Sequence, residues 1–119
     1  MAKIKWAVAS RKRRKKLLKQ ARGNYGARSK HIKRVKETVM RGMAYATRDR
    51  KAKKRTFRSL WIVRLNAAAR SRGLTYGTLI SAFKRAKIDL DRKQLAELAI
   101  NDESAFNQLV ETAVGHNGS

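Results

Sequence analysis

Residues 48–70 read RDRKAKKRTFRSLWIVRLNAAAR, and the chain changes character inside them. Up to Arg58 the run is dominated by cations, with Asp49 its one acid. From Phe57 onward the apolar residues recur at Leu60, Trp61, Leu65 and Ala68. That i, i+3, i+4 spacing marks one face of an α-helix, and Ala67-Ala68-Ala69 adds high helix propensity. The stretch predicts a helix whose first half is a solvated polycation and whose second half has a core to face.

Toward the C-terminus the pattern stays helical. Gly73 is placed to end the first helix as a left-handed C′ residue. Thr75 can cap a second helix carrying Leu79, Ile80, Phe83 and Ala86. Asp91 followed by Gln94 has capping-box spacing and opens a third, with Leu95, Leu98 and Ala99 on one side. Asn101 or Asp102 caps a fourth, with Phe106, Leu109, Val110 and Ala113 inward. Lys87-Ile88-Asp89-Leu90 reads as an extended connection whose two apolar side chains plug the bundle. No period-2 run elsewhere is long enough for a strand, so the fold class is all-α, with a core of about 60 residues, near the lower limit for a domain that folds alone.

Toward the N-terminus, residues 29–72 contain no proline, and Gly42 is their only glycine. Ile32, Val35, Val39, Met43 and Ala46 keep the 3 to 4 spacing, which predicts one continuous helix. At 1.5 Å per residue it would span about 66 Å and would have to project from a small body. Upstream, residues 8–21 read as a shorter helix, and Arg22-Gly23-Asn24-Tyr25-Gly26 as the break between the two. Arg11 to Lys16 is six consecutive cations. Like charges at i, i+4 destabilise an isolated helix by a few tenths of a kcal/mol per pair, so the arm is expected to fray alone and to order on its partner.

Charge divides the chain in the same place. Of 119 residues, 31 are Lys or Arg and 8 are Asp or Glu, for a formal net charge of +23. The segment 1–58 holds 23 of the basic and 2 of the acidic residues, net +21, and 59–119 is left with +2. The expected organisation is therefore a basic nucleic-acid-binding helical extension over 1–58 and a globular helical domain over 59–119. A solvated helix face normally mixes signs, which this one does not. The apolar residues of the arm are too sparse for a membrane-adsorbing face, and no stretch approaches the length of a spanning helix.

Composition removes other classes. Without cysteine there is no disulfide framework, thiolate nucleophile or zinc ribbon. His31 and His116 stand far apart, outside any cluster of ligand-type residues, so no metal and no cofactor is expected. Asp89 and Asp91 are explained as loop and cap residues, which leaves no acid, base and nucleophile set and no small-molecule substrate: the chain is not an enzyme. The acid-free residues 1–36 would also suit an organellar transit peptide, but that reading leaves the same basic pattern unexplained as far as Arg58.

RNA suits the arm better than duplex DNA. Trp6, Tyr25, Tyr45 and Phe57 are interleaved with its cations, where a ring can stack on an unpaired base; Phe57 and Trp61 can equally belong to helix contacts and to the core. Arginine predominates among the cations from Arg48 to Arg72, and its planar fork suits phosphate and guanine edges. If about eight arm cations touch phosphate, counterion release gives a log–log salt slope of about −7. Nothing here reads a defined base sequence.

The residues themselves carry a resemblance. Gly23-Asn24-Tyr25-Gly26-Ala27-Arg28-Ser29, the run from Ala44 to Ile62, then Arg64-Leu65-Asn66-Ala67-Ala68-Ala69-Arg70 and Asp91-Arg92-Lys93-Gln94-Leu95-Ala96 resemble the bacterial-type large-subunit ribosomal protein twenty family, over Met1 to about Ala113. The resemblance implies a helical extension threaded through large-subunit rRNA, a C-terminal domain on the subunit's outer side, neighbouring large-subunit proteins as partners, and a role early in subunit assembly. In some bacteria such a domain also represses its own messenger RNA. Carried onto this sequence, the implied RNA contacts are Arg11, Lys12, Arg13, Arg14, Lys15, Lys16, Lys19 and Arg22; Tyr25, Arg28, Ser29 and Lys30; Arg48, Arg50, Lys51, Lys53, Lys54, Arg55 and Arg58; and Arg64, Asn66 and Arg70. Lys33 and Arg34 join them as arm cations.

Two departures stand out. Arg14-Lys15-Lys16 lies where the family often has a His before its lysines, and residues 114–119 match nothing in the pattern. The start Met1-Ala2-Lys3 coincides with the family's usual beginning, which favours a bacterial protein, cytoplasmic and in the large subunit, over a plastid one with a presequence. The competing reading is a nucleoid-type or regulatory DNA-binding protein using residues 75–87 and 92–100 as a helix-turn-helix. Against it, the helix from Arg92 to Ile100 has only two cations, both at its start.

Overall fold

The computed structural model describes residues 5–116, and every regular element among them is helical. Helix α1 is Ala7–Gln20, a 3₁₀ turn follows at Gly26–Ser29, and α2 is Ile32–Arg70; α3 is Tyr76–Arg85, α4 Arg92–Asn101 and α5 Glu103–Gly115. The long helix expected over 29–72 is thus α2, at 39 residues. Packing divides the chain into two units, one up to Lys51 and the other from Ala52.

The first unit holds a small interior that the charge count hides. Ala21 and Val35 are fully buried, and Leu17, Leu18, Ile32 and Val39 are half-buried. Covering one valine is worth about 1.5–3 kcal/mol, enough to order a turn though not a domain. Gly23 and Gly26 take φ of +92° and +59° and make the expected break. Arg28 Nη1 donates to Thr38 Oγ1 at 3.3 Å, bracing the 3₁₀ turn against the start of α2. A rod of 58 residues this cationic is expected not to bury itself, and that expectation is corrected here: apolar residues on either side of a tight turn cover each other even in a polycation.

From Met40 to Leu60 every residue is exposed. This part of α2 is held by its own backbone ladder and by local contacts such as the Thr56 hydroxyl donating to the Ala52 carbonyl at 3.2 Å.

The second unit is the helical body. Its core comprises Leu65 and Ala69 of α2, Leu79, Ala82 and Phe83 of α3, Leu95 and Ala96 of α4, and Phe106, Val110 and Ala113 of α5. The Phe83 and Phe106 rings meet edge to face, centroids 6.4 Å apart at 81°, a favoured aromatic geometry. The inward stripe of α2 differs from the expected one. Trp61 and Ala68 are half-buried, but Leu60 and Phe57 remain about 40% exposed, because the other body helices pack on α2 only over its last turns.

Helix ends are set by local chemistry. At the end of α2 the Leu74 N–H donates to the Ala69 carbonyl and the Gly73 N–H to the Arg70 carbonyl, both at 3.0 Å, with Gly73 at φ +74°. That pair of bonds is a Schellman motif, which needs a left-handed residue at C′. The same motif closes α3: Ile88 N–H donates to Phe83 and Lys87 N–H to Lys84, with Lys87 at φ +55°. Lys87 was read as the start of the extended connection; it belongs to the turn, and only Ile88–Leu90 runs on, with Ile88 and Leu90 packed on the core as expected. Thr75 caps α3 through Thr78 N–H, the Asp91 and Gln94 capping box opens α4, and Asp102 caps α5 through Ala105 N–H.

Arg72 binds the body together. Its guanidinium donates to the Ala68 carbonyl at 2.6 Å and to Asn107 Oδ1, lies 5.0 Å from the centre of the Phe106 ring, and has Glu103 at 3.6 Å. The end of α2 and the start of α5 are thereby joined by one side chain.

Two outcomes test these assignments. Lys87→Gly removes the left-handed strain of a β-carbon and should stabilise the protein by about 0.5–1 kcal/mol, read as a rise in urea midpoint without a change in slope; a lower midpoint would show that the turn carries no such strain. The Asp102 carboxyl is held below its usual range, first by the Ala105 N–H and then by the Ser104 hydroxyl. Because its folded-state pKa is depressed, its contribution is present above the unfolded carboxylate range and lost as pH falls through the folded pKa. Asp102→Asn, which keeps a capping acceptor that does not titrate, should melt below the parent at neutral pH and approach it in acid.

Candidate nucleic-acid interface

The basic residues expected to meet RNA fall into two sets, one in each unit. In the first, Arg11 to Lys16 and Lys19 stand exposed on α1, Arg22 in the following turn, and Tyr25 is 96% exposed ahead of the 3₁₀ turn. A cleft between α1 and the opening of α2 is lined by Ser10, Arg13, Arg14, Leu17, Ile32 and Lys36. Three cations and two apolar side chains thus share one space. Lys30, Lys33 and Arg34 are exposed around it in sequence, whereas Ser29 is half-buried with its hydroxyl donating to the Gly26 carbonyl at 3.0 Å. Ser29 therefore shapes the turn.

Only two acids interrupt this unit. Glu37 accepts Arg41 at 3.1 Å and Arg34 at 3.7 Å, and Asp49 accepts Arg48 at 3.0 Å. All are surface pairs, worth about 0–1 kcal/mol, so they cost little to exchange for phosphate. Arg48 also lies 4.5 Å from the centre of the Tyr45 ring, a cation–π contact within α2. Arg50 reaches back to the Thr47 hydroxyl at 3.4 Å.

In the second unit the latter half of α2 and helix α4 form a groove of about 730 Å³, lined by Lys53, Lys54, Phe57, Arg58, Trp61, Arg64, Lys93 and Glu97. Five cations, one acid and two aromatic rings face one space. Lys53 Nζ stands 5.6 Å from the Phe57 ring centre, and the Phe57 and Trp61 rings are 6.3 Å apart, tilted by 39°. Of the expected residues, Lys53, Lys54, Arg58 and Arg64 are brought together here; Lys51 and Arg55 are exposed elsewhere on α2, and Asn66 and Arg70 line no part of the groove.

Lys93 was missed, together with the acidic rim residue Glu97. Segment charge counting obscured Lys93, which sits in a stretch of net negative charge and lies far from Arg58 in sequence. The one available signal was the capping box at Asp91, which fixes where α4 begins and hence which face carries Lys93. The rival DNA-reading helix loses one of its two cations: Arg92 Nε donates to Tyr76 Oη at 2.7 Å inside the body. Among the described residues no group of acids and histidines could hold a metal, and no helix is long and apolar enough to cross a membrane.

Comparison with known proteins agrees with the geometry. The family model for ribosomal protein L20 matches residues 3–109. The large ribosomal subunit protein bL20 of Roseiflexus sp. (strain RS-1) is 54% identical over 113 residues, spanning 95% of this chain and 97% of that protein. The same protein of Carboxydothermus hydrogenoformans is 52% identical over 113 residues, with the same coverage, and that of Chloroflexus aggregans is 54% identical, covering 95% of both chains.

The groove makes a quantitative expectation. Changing Arg58, Arg64 and Lys93 together to Gln should leave the helical circular dichroism unchanged and make the salt dependence of RNA binding shallower by about 2 units of log–log slope. An unchanged slope would show that these cations do not meet phosphate.

Proposed function

Because this chain belongs to the ribosomal protein L20 family, whose members are non-enzymatic structural constituents of the large ribosomal subunit, we propose that it binds large-subunit rRNA directly and promotes early assembly of that subunit in the bacterial cytoplasm. The observation that carries this reading is the run of exposed residues from Met40 to Leu60. No packed face supports so cationic a stretch of helix beyond its own backbone ladder and local contacts, and in this reading rRNA phosphates supply the support.

The mechanism follows from the charges. Segments of rRNA brought close together repel through their phosphates, and a helix presenting Arg50, Lys53 and Arg55 among other cations neutralises several at once. Counterion release supplies the drive and favours ordering of the arm on the RNA. Residues 1–58 act as this rRNA-binding extension, and 59–119 as an anchor beside neighbouring large-subunit proteins. The charge boundary lies beyond the packing boundary at Lys51, since Lys53, Lys54 and Arg58 face the body's own groove.

Reversing charge at Arg50, Lys53 and Arg55 to Glu tests the reading. All three are exposed, so the body should stay folded while rRNA binding weakens and large-subunit precursors accumulate in sedimentation profiles. Normal large subunits in cells carrying only this variant would count against it. So would equal affinity of the parent protein for duplex DNA and for large-subunit rRNA at the same salt concentration.

A further inference from the structure

The groove between α2 and α4 contains a feature that phosphate neutralisation leaves unexplained. Phe57 keeps 43% of its surface in water, and it belongs neither to the buried core nor to the side chains packed on it, whereas Trp61 does pack there. A large ring left out of the core beside cations has only part of its surface covered by folding. Its position beside Trp61, with centroids 6.3 Å apart and planes tilted by 39°, leaves both rings without a parallel partner.

We propose that this groove is a stacking site for a single unpaired RNA base, gripped at Phe57 and Trp61 while Lys53, Arg58, Arg64 and Lys93 hold the phosphates on either side of it. The proposal rests on the RNA-binding reading above and deepens it by naming the form of RNA the body takes. Every base has a π-face, so aromatic rings accept any unpaired base, but in a duplex that face is covered by neighbouring pairs. The volume of about 730 Å³ is wide enough for a nucleotide with its flanking phosphates. An apolar protein segment would leave the cations that line the groove uncompensated. Trp61, anchored on the core, forms the fixed floor, and exposed Phe57 is the ring that adjusts.

The chain carries its own reporter. Trp6 and Trp61 are its only tryptophans, and Trp6 is 74% exposed, so full-length Trp6→Phe leaves Trp61 as the sole indole. This protein is titrated with single-stranded oligoadenylate, with a fully paired, blunt-ended RNA duplex of the same length, and with inorganic polyphosphate as a base-free polyanion, occupancy being followed in parallel by calorimetry. Oligoadenylate should quench Trp61 at saturation, and the duplex and polyphosphate should not. Adding Phe57→Leu, which keeps apolar volume but removes the ring, should weaken oligoadenylate binding about tenfold and leave polyphosphate affinity and the melting temperature unchanged. Equal quenching by all three polyanions, no quenching at saturating oligoadenylate, or an unchanged affinity in the Phe57→Leu variant would overturn the stacking site. If those results came with salt-dependent binding of large-subunit rRNA intact, the functional reading would stand without it; loss of all RNA binding would sink both.

Discussion

Mutual repulsion among cations on a helix without a protein partner is the constraint on which the rest of this structure depends. Helices in globular proteins owe most of their stability to the packing of one face, and from Met40 to Leu60 there is no packed face. Each like-charge pair one turn apart adds a few tenths of a kcal/mol against the helix, and Glu37 and Asp49 relieve only their immediate neighbours. A polyanion reverses the sign of all these terms together. In the proposed rRNA complex its phosphates supply the compensation that a hydrophobic neighbour supplies elsewhere, which suits a constituent of the large ribosomal subunit.

A helix used in this way needs a defined end. The Schellman turn at Gly73 stops α2, and Arg72, the residue just before it, ties the same point to α5 through Asn107, the Phe106 ring and Glu103. The body is small, and its core residues come from all four of the helices that enter it. Termination and anchoring therefore act within one turn of backbone. The basic groove begins about two to three turns earlier on the same helix, at Arg64 and Trp61, so the elements that make the body also orient the cations beside it.

Much of this was legible from residue types at fixed spacings. Thr75, Asp91 and Asp102 announce caps because their side-chain oxygens reach a backbone N–H three residues on, a purely local event. Gly73 announces a helix end for a reason equally local. Lys87 gave no such sign: it occupies the same left-handed position as Gly73, and a lysine takes it only because Ile88 is pulled onto the core. The candidate interface divides in the same way. Arm cations stand out by composition, but Lys93 is lost in an acidic stretch, and Phe57 could not be assigned between core and surface until the reach of the body along α2 was known.

The sequence by itself determined the all-helical class, the helix ends marked by Gly73, Thr75, Asp91 and Asp102, and the asymmetry of charge, because each rests on interactions spanning three to five residues or on counting. It also carried the family likeness, since the longest distinctive run lies along one uninterrupted helix. Tertiary structure alone decided that Ala21 and Val35 are shut away from water, that Leu60 is not, and that Lys93 joins Arg58 and Arg64 around two aromatic rings. Those outcomes depend on how helices from distant parts of the chain meet, and the spacing of residues along one helix holds no record of what another helix brings to it.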